Sequence, residues 1–196
     1  SLEILDDQQL SLERGVTAGM AYHAGAEAAE RSLEAARIQS DPTWNQTLAA
    51  TSSPGNGLIT NSGTLICGSN IITGSGGFTN TAATTTTLSL GDAGGISLSG
   101  ATGNIQVTGT RTYNTQPNYI YTGSSSGMVT GLGLVTCNNL TISNSNGVSM
   151  SGPVTVTAQL TLTSGTFTVG GNTLTLNGPS IAGTATNLST GSTSTL

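Results

Sequence analysis

Short apolar–x–apolar triplets fill the chain beyond residue 58, and their spacing leaves few folds open. Leu88-Ser89-Leu90, Ile96-Ser97-Leu98, Ile105-Gln106-Val107, Leu140-Thr141-Ile142 and Val148-Ser149-Met150 are followed by Val154-Thr155-Val156, Leu160-Thr161-Leu162, Phe167-Thr168-Val169 and Leu174-Thr175-Leu176. A period of two puts both apolar side chains of a triplet on one face of a short strand and the central polar group on the other. Gly, Asn, Ser and Pro between the triplets supply the turns. Triplets starting at 140, 148, 154, 160, 167 and 174 have successive spacings of 8, 6, 6, 7 and 7, so every third one returns after about 20 residues. Leu140 therefore aligns with Leu160, Val148 with Phe167 and Val154 with Leu174. Three strands per coil of about 20 residues describe a mainly β fold, a parallel β-helix (β-solenoid) in which each coil buries its apolar pairs against the next. An antiparallel sandwich also uses regularly spaced strands, but such short strands and a repeating coil favour the solenoid.

Charge marks a second region. Eight of the nine acids (Glu3, Asp6, Asp7, Glu13, Glu27, Glu30, Glu34, Asp41) and Arg14, Arg31 and Arg37 lie at or before Asp41. From Pro42 onward only Asp92 and Arg111 carry charge, and the chain has no Lys. Residues 2–39 lack Pro and are rich in Ala, Glu, Leu, Arg and Gln, which predicts one long N-terminal α-helix. Leu5, Leu12, Val16, Met20, Ala24, Ala28 and Leu33 form its apolar stripe, the predicted assembly surface. Gly15, Gly19 and Gly25 let another backbone approach closely. Each glycine also costs about 1 kcal/mol relative to Ala, so packing must hold such a helix. Asp41-Pro42 ends it. The expected organisation is a helix over 1–41 that caps the solenoid or assembles with others, a linker over 42–57, and a β-solenoid over 58–196.

This composition narrows function. An acidic chain without clustered Lys or Arg offers no footprint for nucleic acid and no polybasic membrane patch. No stretch approaches about 18 consecutive apolar residues, so membrane attachment or export implies an upstream or removed segment. Cys67 and Cys137 are too few and too far apart for a disulfide framework or a metal site, and read as buried small hydrophobes. Glycoside hydrolysis needs two carboxylates, and the solenoid has one, Asp92. Lyase chemistry needs a base, for which the body offers only Arg111. His23, the sole histidine, lies in the predicted helix, so the body cannot assemble a Ser-His-Asp set or a His-based metal site. The expectation is a non-enzyme without cofactor or metal. Asp92 and Arg111 are separated by about one coil of sequence and are expected to stack as a salt bridge.

The wording of the repeats also carries a resemblance. Gly103-Asn104-Ile105-Gln106-Val107-Thr108-Gly109-Thr110-Arg111-Thr112-Tyr113, Asn118-Tyr119-Ile120-Tyr121-Thr122-Gly123, Val129-Thr130-Gly131-Leu132-Gly133 and Gly171-Asn172-Thr173-Leu174-Thr175-Leu176 resemble units of the adhesin-like β-strand-repeat surface proteins of Bacteroidetes-type bacteria. So does the run from Asn138-Asn139-Leu140-Thr141-Ile142 to Leu160-Thr161-Leu162-Thr163-Ser164-Gly165. The resemblance covers roughly residues 64–190 and implies an extracellular or cell-surface β-solenoid with adhesive or structural use. Leu12-Glu13-Arg14 followed by Ala21-Tyr22-His23-Ala24-Gly25-Ala26-Glu27-Ala28-Ala29-Glu30-Arg31 resembles the helix that follows the membrane segment in minor pilins of type IV pili. The pilin family's hydrophobic N-terminal segment and its cleavage-site Glu are not in this sequence.

The function expected is a structural subunit of an extracellular filament, pilus-like fibre or cell-surface adhesin. It would assemble with copies of itself through the helix and the solenoid ends, with surface glycans as a further partner class. Ala185 to Leu196 carries no capping signal, so this end is expected to pair with a neighbour or with further chain. Two alternatives stand beside this reading. Thr155-Val156-Thr157, Thr161-Leu162-Thr163, Thr166-Phe167-Thr168 and Thr173-Leu174-Thr175 are Thr ladders of the kind that order ice, although turn lengths vary. Tyr113, Tyr119 and Tyr121 either stack on sugar rings, as in a carbohydrate-binding module, or cover an end of the core.

Overall fold

The computed structural model describes residues 45–47, 53, 56–178 and 180–196. The predicted helix, its stripe from Leu5 to Leu33, and most of the expected linker lie outside these residues. The described chain is mainly β, a parallel β-solenoid of about six turns. Its strands are β1 (Asn45–Thr47), β2 (Ile59–Asn61), β3 (Thr64–Ile66), β4 (Phe78–Asn80), β5 (Thr87–Leu90), β6 (Arg111–Tyr113) and β7 (Asn118–Gly123). They continue with β8 (Thr136–Asn144), β9 (Val148–Ser149), β10 (Val154–Ser164), β11 (Phe167–Gly170), β12 (Leu174–Leu176), β13 (Ile181–Gly183) and β14 (Leu188–Thr190). Within the span expected as linker, β1 already pairs with β3, so the ladder starts before Leu58.

One sheet runs the length of the stack in the order β1-β3-β5-β7-β8-β10-β12, with β13 also on β10. Two three-stranded sheets, β2-β4-β6 and β9-β11-β14, make up further faces. All strand pairs are parallel, and the register follows the sequence period: Leu140 pairs with Leu160, Val148 with Phe167 and Val154 with Leu174. Strand β10 is long because it joins the Val154 and Leu160 triplets around a corner, with register shifts after Val156 and Leu162, and the long β8 runs beside it.

Stacking turns each inward position into a column. Leu65, Leu88, Tyr119, Leu140 and Leu160 share one column, and Leu90, Tyr121, Ile142 and Leu162 the next. All nine are buried in a single core. Burying a side chain of this size stabilises by about 1.5–3 kcal/mol, and each coil supplies several. Asparagines fill inward positions where the chain turns: the buried Asn61 donates from Nδ2 to Asn80 Oδ1 (2.7 Å) and to the Thr87 carbonyl (3.0 Å). Corners also need glycine. Gly165 has φ +71°, and a Cβ there would lie 1.8 Å from the Asn144 carbonyl of the previous coil.

Coil length is not constant. Beyond Tyr119 the main sheet advances in nearly even steps, from Tyr119 to Leu140, Leu160 and Ile181. By contrast, Thr87 pairs with Asn118 and Phe78 with Arg111, and these steps are about half as long again. The excess is a loop around residues 91–104 that docks against the next coil. Ala93 accepts from Val129 N–H (2.9 Å), Ile96 N–H donates to Thr130 (3.0 Å), and Gly133 N–H donates to Ile96 (2.9 Å). Ile96-Ser97-Leu98 is therefore not the expected strand: Ile96 is buried, while Leu98 is turned out to solvent.

Candidate functional site

The docked loop is where the body's two charged residues make their hydrogen bonds. Arg111 lies in β6, stacked on Phe78, and its side chain is buried. Its guanidinium donates to three carbonyls: Nε to Val107 (2.9 Å), Nη1 to Ser97 (3.1 Å) and Nη2 to Gly100. Tyr113 Oη also donates to Ser97 (3.4 Å), and its ring stands 5.8 Å from that of Phe78. Burial pulls the Arg111 guanidinium below its ordinary value, with Tyr113 opposing the shift.

Asp92 works from the other side of the loop. Its Oδ1 accepts from the N–H groups of Gly94 (2.8 Å) and Gly103 (3.0 Å). Asn104, fully buried, accepts from Gly91 and Asp92 N–H at 3.0 Å and donates to the Gly68 and Asn70 carbonyls. The expected Asp92–Arg111 salt bridge does not form. Their separation matches one coil only where the coil is regular, and here the intervening coil carries the extra loop. Both side chains instead bond to backbone groups.

The loop places Leu98 against the next coil, near Gly133, and Leu132 lies near Gly152. Leu98, Leu132 and Val135 are 57%, 68% and 60% exposed and form an apolar ridge; Leu58, Ile66 and Leu196 are the other exposed large apolar side chains among the described residues. Sequence reading missed it, because Leu98 belongs to a triplet that predicts two inward side chains. The glycines on either side of Leu132 were the available signal for a turn.

The tyrosines do not form a sugar-stacking platform. Tyr119 and Tyr121 point inward in the same columns as Leu88 and Leu90, are buried, and donate to the carbonyls of Asn114 (3.1 Å) and Thr130 (2.6 Å). Burial pushes Tyr119 up to about 12, partly offset by the Asn80 amide. It also raises Tyr113, against the pull of Arg111, and raises Tyr121 well above its ordinary value. Cys67 and Cys137 are free and buried, as read from the sequence, and burial pushes both thiols up to about 12.

Outward hydroxyls do stack, in columns such as Thr60–Thr79–Thr112 and Thr136–Thr155–Thr175. Each column is one hydroxyl wide. The second Thr of two expected ladders, Thr157 and Thr163, falls at the register shifts of β10, and Thr157 Oγ1 turns to the Cys137 carbonyl (3.0 Å). Thr141–Thr161 is flanked by Ile120 and Ala182. A flat two-column array is thus interrupted at every corner of β10.

Among the described residues, no group of three His, Cys, Asp or Glu side chains is placed to hold a metal ion, and no helix is long and apolar enough to cross a membrane. No protein-family model, curated protein or solved structure matches this chain.

Proposed function

We propose that this chain is a structural subunit of an extracellular filament, pilus-like fibre or cell-surface adhesin, of the adhesin-like β-strand-repeat kind, and that it carries out no catalysis. One observation supports this most. Both charged side chains of the solenoid body are engaged with its own backbone, leaving an outer surface of hydroxyls, amides and a few aliphatic side chains. Such a surface suits broad, weakly polar contacts with a neighbouring copy or a glycan coat. The apolar ridge of Leu98 and Leu132 is contact material of the same kind.

Assembly in this reading uses the apolar stripe of residues 5–33 and the sheet ends. Among the described residues β13 and β14 each have a ladder partner on one side only, and an edge with free N–H and C=O groups accepts a further strand. Export to the cell exterior follows from the adhesin-like resemblance. Ice binding is less favoured, because the Thr columns break at the corners of β10.

Electron microscopy of the purified full chain tests the proposal. The expected result is filaments with one subunit per short axial step. A monodisperse monomer with thermal-hysteresis activity would overturn it.

A further inference from the structure

Three Asn-Gly steps occur in the described chain: Asn56-Gly57, Asn146-Gly147 and Asn177-Gly178. An Asn-Gly step is the sequence in which the following amide nitrogen most easily reaches the Asn side-chain carbon, because glycine places no side chain in the way. Whether it does so in a folded protein depends on whether the two groups are free to approach.

Asn146 and Asn177 are both exposed, so solvent access does not separate them. Hydrogen bonding does. Asn146 donates from Nδ2 to the Ser124 carbonyl (2.6 Å), and its own N–H is held by Asn144 Oδ1 (2.9 Å). The attacking group of that step, Gly147 N–H, is held by the Asn144 carbonyl (2.9 Å). Nucleophile and electrophile are thus both fixed, and moving either one gives up hydrogen bonds that the fold supplies. At the other step Asn177 bonds only through its backbone N–H, to the Val156 carbonyl (2.9 Å). Among the described residues, neither its side-chain amide nor Gly178 N–H has a partner. The step lies between β12 and β13, where β10 hands its ladder from one strand to the other. A small cavity of about 70 Å³ opens there over Ala158, between Leu176 and Ile181.

We propose that Asn177 is a site of spontaneous deamidation, while Asn146 is protected by the fold. The Gly178 nitrogen gives its proton to solvent base and bonds to Asn177 Cγ. The Cγ–Nδ2 bond breaks, ammonia leaves, and a five-membered succinimide joins the two residues. Water then opens the ring at one of its two carbonyls. Cleavage at Cγ returns an ordinary aspartate, and cleavage at the main-chain carbonyl gives isoaspartate, with one extra methylene in the backbone. The net change is one water consumed and one ammonia released, with no oxidant or reductant.

The consequence is local and twofold. A carboxylate appears on a body whose only charged residues are Asp92 and Arg111. In the isoaspartate product the corner also lengthens where it has no slack, since a Cβ on Gly178 would lie 1.5 Å from the Ala158 carbonyl. The register of Ile181–Gly183 on Leu160–Leu162 is then the first to give.

The test is timed incubation of the purified full chain in mildly alkaline buffer, with peptide mapping by mass spectrometry and an isoaspartate assay. A parallel sample is kept unfolded in denaturant. In the folded chain Asn177 is expected to convert several-fold faster than Asn146; in denaturant the two rates converge, because only the local sequence remains. Asn177→Gln should abolish the early isoaspartate signal in the peptide that spans residue 177. Equal conversion of Asn146 and Asn177 in the folded chain would overturn the proposal. So would an unchanged Asn177 in folded protein whose unfolded sample converts.

Discussion

The two halves of the solenoid solve the same stacking problem by different means. From Thr136 to Thr190 the coils are nearly constant in length, and apolar columns such as Val148–Phe167–Leu188 continue from turn to turn. Between Ile59 and Val135 one much longer coil interrupts the series. Its extra loop is held by side chains that hydrogen-bond to backbone: Arg111, Asp92, Asn104 and Tyr113. Repetition needs mainly apolar surface, which is indifferent to detail, with an inward amide such as Asn144 at a corner. An irregular loop leaves backbone carbonyls and N–H groups without ladder partners, and those require specific donors and acceptors.

This contrast can be broken most severely in the regular half. Phe167 is fully buried between Val148 and Leu188, and Phe167→Ala removes a ring that a rigid stack cannot replace. We expect a loss of about 3–5 kcal/mol in urea unfolding, with protection from hydrogen exchange falling throughout 148–190. A loss confined to Phe167's own coil would mean that the coils do not act cooperatively.

Arg111→Ala should cost somewhat less, about 3 kcal/mol, because the carbonyls of Val107, Ser97 and Gly100 lose their donor and two of them can turn toward water. The effect should be regional. Hydrogen exchange is expected to rise over 93–103 and 129–133 while 148–170 keeps its protection. Uniform loss of protection would show that the loop is not a separate unit.

The smallest expected effect, taken per titrating group and per unit of pH, is alkaline. Cys67 and Tyr119 are raised to about 12, and Tyr113 and Tyr121 are raised as well, all in the interrupted half; Cys137, also about 12, is the regular half's counterpart. In each case the folded state keeps a proton that the unfolded state releases. Stability therefore declines as pH rises past the unfolded values, about 8.5 for Cys and 10 for Tyr, and continues to fall until the folded values are reached. Each group contributes a slope of about 1.4 kcal/mol per pH unit within its window. Circular dichroism with pH-resolved hydrogen exchange should find unfolding starting over 65–121. A start in 148–190 would contradict this.

Much of the architecture was legible in the sequence. Three register pairs, Leu140–Leu160, Val148–Phe167 and Val154–Leu174, follow from counting alone, because side chains alternate strictly along a strand and coils of equal length must superpose. The inward tyrosines obey the same alternation, and the two cysteines were recognisable as small core residues. Asn61 and Asn80 were not recognisable as inward positions, since Asn at the end of a short apolar run looks like a turn until stacking brings Asn61 Nδ2 to Asn80 Oδ1.

What the sequence by itself determined is the apolar period, and with it a parallel stack of short coils nearly devoid of charge. Tertiary structure alone decided where the period fails. The loop of 91–104 breaks the regular coil spacing, so Asp92 and Arg111 are brought not to each other but to separate backbone groups. Local alternation is encoded residue by residue, whereas the partners of an unpaired carbonyl are set by whichever coil comes to rest beside it. The exposed Leu98–Leu132 ridge and the Asn177-Gly178 corner, whose side-chain amide has no partner among the described residues, belong to this second kind of information.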